Sequence, residues 1–214
     1  MTLVVVFGAT GGIGRHVVGA AQRRNLDVRA VVRPGREAPA DTGAEVAAAD
    51  ITDADAVRRA VAGADAVLWA VGATRNTADQ VAVFEAGAQN LVRAMEAHAI
   101  HRLVALSGAA ITLDGERKPL GGRVMEVIVK LAARHVYEAK LSEFRAFTRT
   151  DLGWTLVRPP RVIEGEPTGA MALGLKLGGS TVTQGDVGEA LAGQVEDRTY
   201  LRMAPFVWTA RRRA

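Results

Sequence analysis

The stretch VVVFGATGGIGRHVV, Val4 to Val18, sets Gly8, Gly11 and Gly14 directly behind an apolar run and ahead of apolar residues at helical spacing. A β-branched run, a glycine cluster and a helical pattern together describe a strand, a tight turn and a helix. In such a unit the first glycine permits the turn, the second lets the backbone approach a pyrophosphate, and the third lets the helix pack closely on the strand. The helix start adds unpaired amides and the positive end of the helix dipole, both of which favour an anion. Gly8, Thr10, Gly11, Gly12, Ile13 and Gly14 are therefore read as the phosphate turn of a dinucleotide site.

The rest of the first half repeats this alternation. Strand-like runs at Leu3–Phe7, Val28–Val32, Glu45–Ala48, Ala66–Val71 and Arg102–Ser107 are separated by helical patterns at Ile13–Arg24, Asp53–Ala62 and Val81–Ala97, with Thr52 or Asp53 as N-cap of the second. The pattern predicts an α/β fold, a doubly wound parallel sheet with helices on both faces. Its strands are mostly apolar rather than alternating, as burial on both faces requires. After Ser107 the rhythm changes. A loop at Thr112–Gly122 leads into a helical pattern at Arg123–Arg149, interrupted near Arg134, and then a strand at Trp154–Arg158 that Pro159 and Pro160 stop. A Gly- and Pro-rich stretch, Glu164–Ser180, has room for a hairpin, and a short helix from Asp186 and a last strand near Thr199–Met203 follow. At 214 residues and 49% apolar content, one domain spanning 1–214 is expected, with small C-terminal insertions building the substrate side.

The end of the second strand bears on which dinucleotide fits. It reads RAVVRPGRE, with Arg33 and Arg36 where an NAD site offers a carboxylate to the ribose. A guanidinium fork suits a 2′-phosphate better than a hydroxyl, so NADP(H) is expected over NAD(H). The absence of cysteine excludes disulfides, thiolate catalysis and cysteine metal sites. His16, His98, His101 and His135 form no ligand pattern, and no metal is expected. The apolar runs are too short to span a membrane and no basic leader precedes the first strand, which leaves a soluble, cytoplasmic protein as the expectation. A net charge of +4 raises nucleic acid as a partner, but Arg211, Arg212 and Arg213 supply part of it and aromatic residues are only 5%. No base-stacking platform is visible, and a solvated tail is the preferred reading.

The glycine spacing with Thr10 inside it resembles the motif of extended and atypical short-chain dehydrogenase/reductases. Together GATGGIG, AADITD, FEAGAQNLVRAMEAHAIHRLVALSGAA, DLGWTLVRPPRV and TQGDVGEAL resemble the NAD(P)H-binding atypical short-chain reductases, nearest the flavin reductase/biliverdin reductase B group, from Val4 to about Met203. The resemblance implies a Rossmann-type fold. It also implies Asp50 and Ile51 beside the adenine, Gly72 where the cofactor approaches, Ser107 beside the nicotinamide, and Pro159 as a further cofactor contact after strand six.

In that group the acceptor is a planar conjugated ring, and no strong side-chain acid is required. The expected function is an NADPH-dependent reductase of a flavin, a bilin-like tetrapyrrole or a quinone; the alternative is an NADP(H)-sensing regulatory protein without turnover. Ser107 either orients cofactor or acceptor or bonds local backbone. Tyr137 and Lys140 suggest the tyrosine and lysine pair of ordinary short-chain dehydrogenases, but two residues separate them instead of three. Lys140 is kept as a ribose contact, Tyr137 as a catalytic or packing residue, and His135 as a candidate proton donor. Arg161 and Lys176 flank the Gly-rich segment and are candidates for holding an anionic acceptor, with solvated surface charge as the equal alternative. A monomer or homodimer fits either reading.

Overall fold

The computed structural model describes residues 1–37, 43–73, 75–112, 116 and 120–210, the side chains of 120–125 excepted. Six strands, β1 (Leu3–Phe7), β2 (Asp27–Val32), β3 (Glu45–Ala48), β4 (Ala66–Trp69), β5 (Arg102–Leu106) and β6 (Gly153–Val157), form a sheet in the order β3-β2-β1-β4-β5-β6. All five pairings are parallel. The order reverses between β1 and β4, and a sheet wound outward in both directions from that point opens a crevice at its carboxyl ends.

Strand side chains alternate between the two faces, and each face has its own core. Val4 and Val6 pack with Val17 and Val18 of α1 (Gly12–Arg23) and with Leu191 of α6 (Gln184–Gly193). Val5 and Phe7 join Val57 of α2 (Ala54–Val61), Leu91 of α3 (Ala78–Ala97) and Phe147 of α5 (Arg134–Thr148). Trp69 anchors the second face, with ring centroids 5.2 Å from Phe7 and 6.0 Å from Phe147. Helix starts follow local chemistry: the Asp53 carboxylate accepts from the Ala56 amide at 3.0 Å, and the Thr183 hydroxyl accepts from the Asp186 amide at 3.0 Å. Among the described residues no helix is long and apolar enough to cross a membrane.

The long helical pattern after the loop divides into α4 (Leu120–Ala132) and α5, broken at Ala133 with φ −141° and ψ 51°. The C-terminal part departs from expectation. Thr199–Met203 is not a strand: the Asp197 carboxylate accepts from the Thr199 amide at 2.8 Å, and Arg202 has φ 55°, so the segment turns. The last strand is β10 (Phe206–Thr209), which pairs antiparallel with β8 (Met171–Gly174). Glu164–Ser180 holds no hairpin, because β8 finds its partner beyond α6, while β7 (Arg161–Ile163) pairs in parallel with β9 (Thr181–Thr183). The Asp186 carboxylate joins these pieces, accepting from the Thr168 amide and hydroxyl at 2.8 Å each and from the Thr209 hydroxyl at 2.6 Å.

Candidate functional site

The backbone of the turn requires two of its three glycines, Gly8 and Gly14. Gly8 sits at φ +79°, where a Cβ would also stand 2.7 Å from the Ala70 carbonyl oxygen. The Gly8 carbonyl accepts from the Gly11 amide at 3.0 Å, and a Cβ on Gly14 would lie 1.9 Å from that same oxygen. Helix α1 therefore approaches β1 more closely than any side chain allows. Gly11 is different: as N-cap of α1 it has φ −75° and ψ 164°, open to any residue, and its Cβ would meet only Gly8 O at 3.3 Å. The first turn of α1 carries no acid, so nothing there opposes an anion.

From this turn a cavity of about 570 Å³ crosses the carboxyl ends of the strands at the reversal point. Gly8, Thr10, Gly11, Gly12 and Ile13 line one wall, with Arg33 and Arg36 after β2, Asp50 and Ile51 after β3, and Gly72 after β4. Ten of the residues read from the sequence as cofactor contacts thus share one cavity, and Gly14 lies directly beneath its turn. The Arg33 end and the Leu106 end stand three strand spacings apart, about 14 Å at the usual inter-strand distance, which suits an extended dinucleotide. Among the described residues neither Arg33 nor Arg36 has an ion-pair partner. Bonds from the Thr52 hydroxyl (2.6 Å) and amide (2.8 Å) hold Asp50 below the usual carboxylate range against its burial, with Arg33 adding to the effect. Asp50 therefore offers a fixed, ionised acceptor.

Ser107 follows β5, outside the residues that line the cavity; its amide donates to the Val157 carbonyl at 2.8 Å, and among the described residues its buried hydroxyl oxygen has no partner. Lys140 donates to the Val71 carbonyl (2.6 Å), the Leu106 carbonyl (3.3 Å) and the Glu143 carboxylate (2.7 Å). Val71 and Leu106 line the cavity, so the ammonium ties the segment after β4 to the end of β5. The Glu143 carboxylate, fully buried, also accepts from Trp69 Nε1 at 2.6 Å. Tyr137 turns the other way: its hydroxyl donates to Glu126 at 3.0 Å, and Lys130 stands 4.8 Å from its ring centroid. Burial, followed by the Glu126 bond, raises the Tyr137 pKa, away from what a general base needs. Tyr137 and Lys140 thus face different partners.

His135 is held by the β4–α3 loop. The Asn76 side-chain oxygen accepts from the His135 amide at 3.0 Å and the Val136 amide at 3.3 Å, and the Asn76 carbonyl lies 3.3 Å from His135 Nδ1. Asn76 therefore caps α5 from a distant loop, in place of Ala133, which has no capping side chain. The Asn76→Ala variant is expected to lose about 1 kcal/mol of stability, a fall of about 2–4 °C in Tm. Thermal unfolding with no shift would show the cap to be without consequence.

Pro159 is buried and its carbonyl accepts from the Ala109 amide at 2.9 Å, fixing the loop after β5. Arg161 and Lys176 are exposed and stand outside the residues that line the cavity. Arg211, Arg212 and Arg213 lie outside the described residues. Arg75, Gln80, Phe84 and Gln184 line the cavity without having been singled out from the sequence. A buried Arg158, bonded to the Ala204 and Ile111 carbonyls and to Glu116, secures the end of β6.

Strand order, glycine turn and cavity define a dinucleotide-binding protein of Rossmann type. Residues 8–198 match the model of the NAD(P)H-binding family, and the chain belongs to that family. Among solved structures it is similar to a Bacillus halodurans protein provisionally described as an NAD-dependent epimerase/dehydratase, at 24% identity over 98% of this chain and 95% of that one, with a TM-score of 0.79. It is also similar to the oxidoreductase YlbE of Lactococcus lactis, at 18% identity over 98% and 92%, TM-score 0.80. A short-chain dehydrogenase/reductase from Veillonella parvula in complex with NADP matches at 15% identity over 97% and 94%, TM-score 0.78. At such identities these likenesses are of fold.

Proposed function

We propose that the protein is an NADPH-dependent reductase that passes hydride to a planar conjugated acceptor, of the flavin, bilin or quinone type. The reduced nicotinamide supplies the hydride when bound. The chain would hold the dinucleotide through the α1 amides at the pyrophosphate, Arg33 and Arg36 at the 2′-phosphate, and Asp50 at the adenine.

The observation that carries the choice of acceptor is the engagement of Tyr137 with Glu126 and of Lys140 with Glu143 and two carbonyls. Reducing a simple carbonyl requires a positioned proton donor. A conjugated ring that takes up its proton from water does not, and this arrangement favours such an acceptor.

Anaerobic consumption of NADPH with a flavin, a bilin and a quinone, beside a simple ketone, tests this. Turnover with a ring acceptor and not with the ketone is expected. Tight NADPH binding with no turnover on any of them would instead favour a cofactor-sensing protein. For cofactor choice, Arg33→Ala is expected to narrow the NADPH over NADH preference by about 1–3 kcal/mol, the worth of a charged hydrogen bond. An unchanged ratio of dissociation constants would remove Arg33 from that role.

A further inference from the structure

Gln184 brings α6 to the cavity wall beside the phosphate turn. Its carboxamide lies over Gly12: a Cβ placed there would stand 2.7 Å from Nε2 and 3.0 Å from Cδ and Oε1. Oε1 accepts from the Arg15 guanidinium at 3.5 Å, while among the described residues Nε2 has no acceptor. Docking of α6 on α1 does not need this amide. It is made by Gly188 against His16 and by buried Val187 and Leu191, and the α6 cap belongs to Thr183.

Resting on the cofactor reading above, we infer that Gln184 is a further cofactor-binding residue, whose Nε2–H donates to the pyrophosphate held at the start of α1. Three features converge on it. The amides of Gly12 and Ile13, in the first turn of α1, are where a helix start receives a phosphate. Arg15 engages the acceptor end of the carboxamide, which leaves the donor end for an anion. A neutral amide completes a phosphate shell without adding charge, whereas a carboxylate of the same shape would repel it.

The Gln184→Glu variant separates this role from a structural one, because the two predict opposite results. An acid in the first turn of a helix is favoured by the dipole, so Tm is expected to hold or rise. The Kd for NADPH is expected to rise about tenfold or more at neutral pH. Adenosine 2′-monophosphate, which has no pyrophosphate, should bind as in the parent, while 2′-phospho-ADP-ribose should weaken along with NADPH. Gln184→Ala should weaken NADPH by a smaller factor. Unchanged NADPH affinity in Gln184→Glu, or equal losses for the mononucleotide and NADPH, would overturn the assignment. A parent protein that binds no NADPH would instead overturn the cofactor reading on which it rests.

Discussion

Gly14→Ala is expected to destabilise the protein strongly and to lose cofactor binding with it, whereas Gly11→Val is expected to lose binding with only a small loss of stability. At Gly14 the added methyl would lie 1.9 Å from Gly8 O and 2.7 Å from Gly8 C, both backbone atoms that cannot swing aside. The helix preference of Ala over Gly offsets at most about 1 kcal/mol. Overpacking of this kind costs about 3 kcal/mol or more, which lowers Tm by roughly 10 °C in a chain of this size. At Gly11 the backbone is extended and the only close atom is Gly8 O at 3.3 Å, so Val fits with a small adjustment and an N-cap cost of about 1 kcal/mol. Its side chain then occupies cavity space. Loss of one or two charged hydrogen bonds to the pyrophosphate weakens binding by about a hundredfold. Thermal unfolding and titration of both variants check the contrast; a stable Gly14→Ala protein with parental affinity would mean that the turn is not as close as described.

Lys140→Met should be the second large effect, and its pH dependence has a definite sign. Lys140 and Glu143 form a buried pair 2.7 Å apart, and removing one partner of such a pair costs about 3 kcal/mol or more. Burial already raises the Glu143 pKa; Lys140 and the Trp69 indole pull it back down. Without Lys140 it rises further. A carboxyl whose folded pKa exceeds its unfolded value binds more protons when folded, so its contribution to stability is full in acid and falls as pH rises through the folded pKa. The variant should therefore be further from the parent at about pH 8 than at about pH 5. Denaturant unfolding at both values checks this, and an equal difference at the two would show that Glu143 does not carry the effect. Because Lys140 also binds the Val71 and Leu106 carbonyls, NADPH affinity should fall in parallel.

Features encoded by near neighbours were legible in the sequence. The glycine turn depends on three residues within seven, and Asp53 caps a helix that begins one position later. The cofactor cavity followed from strand ends, because a parallel sheet brings every carboxyl end to the same edge. What was hidden depends on distant partners. Asn76 lies in the loop before α3, yet it caps α5, 59 residues on. The spacing of Lys140 and Glu143 places them on one helix face, but nothing local reveals that Trp69 completes the group. Strands β7 and β9 have three residues each, too few for a period to show, and β10 is defined by its pairing with β8. Gln184 belongs to a helix whose contribution to the cavity appears only once α6 is docked against α1.

Calorimetric titration of the parent protein with NADPH and NADH tests whether the cavity at the glycine turn holds the dinucleotide. One site per chain is expected, bound by both and more tightly by NADPH, because only NADPH would offer Arg33 and Arg36 a 2′-phosphate. Equal affinities would contradict the assignment of the two arginines, and no heat from either dinucleotide would contradict the site itself.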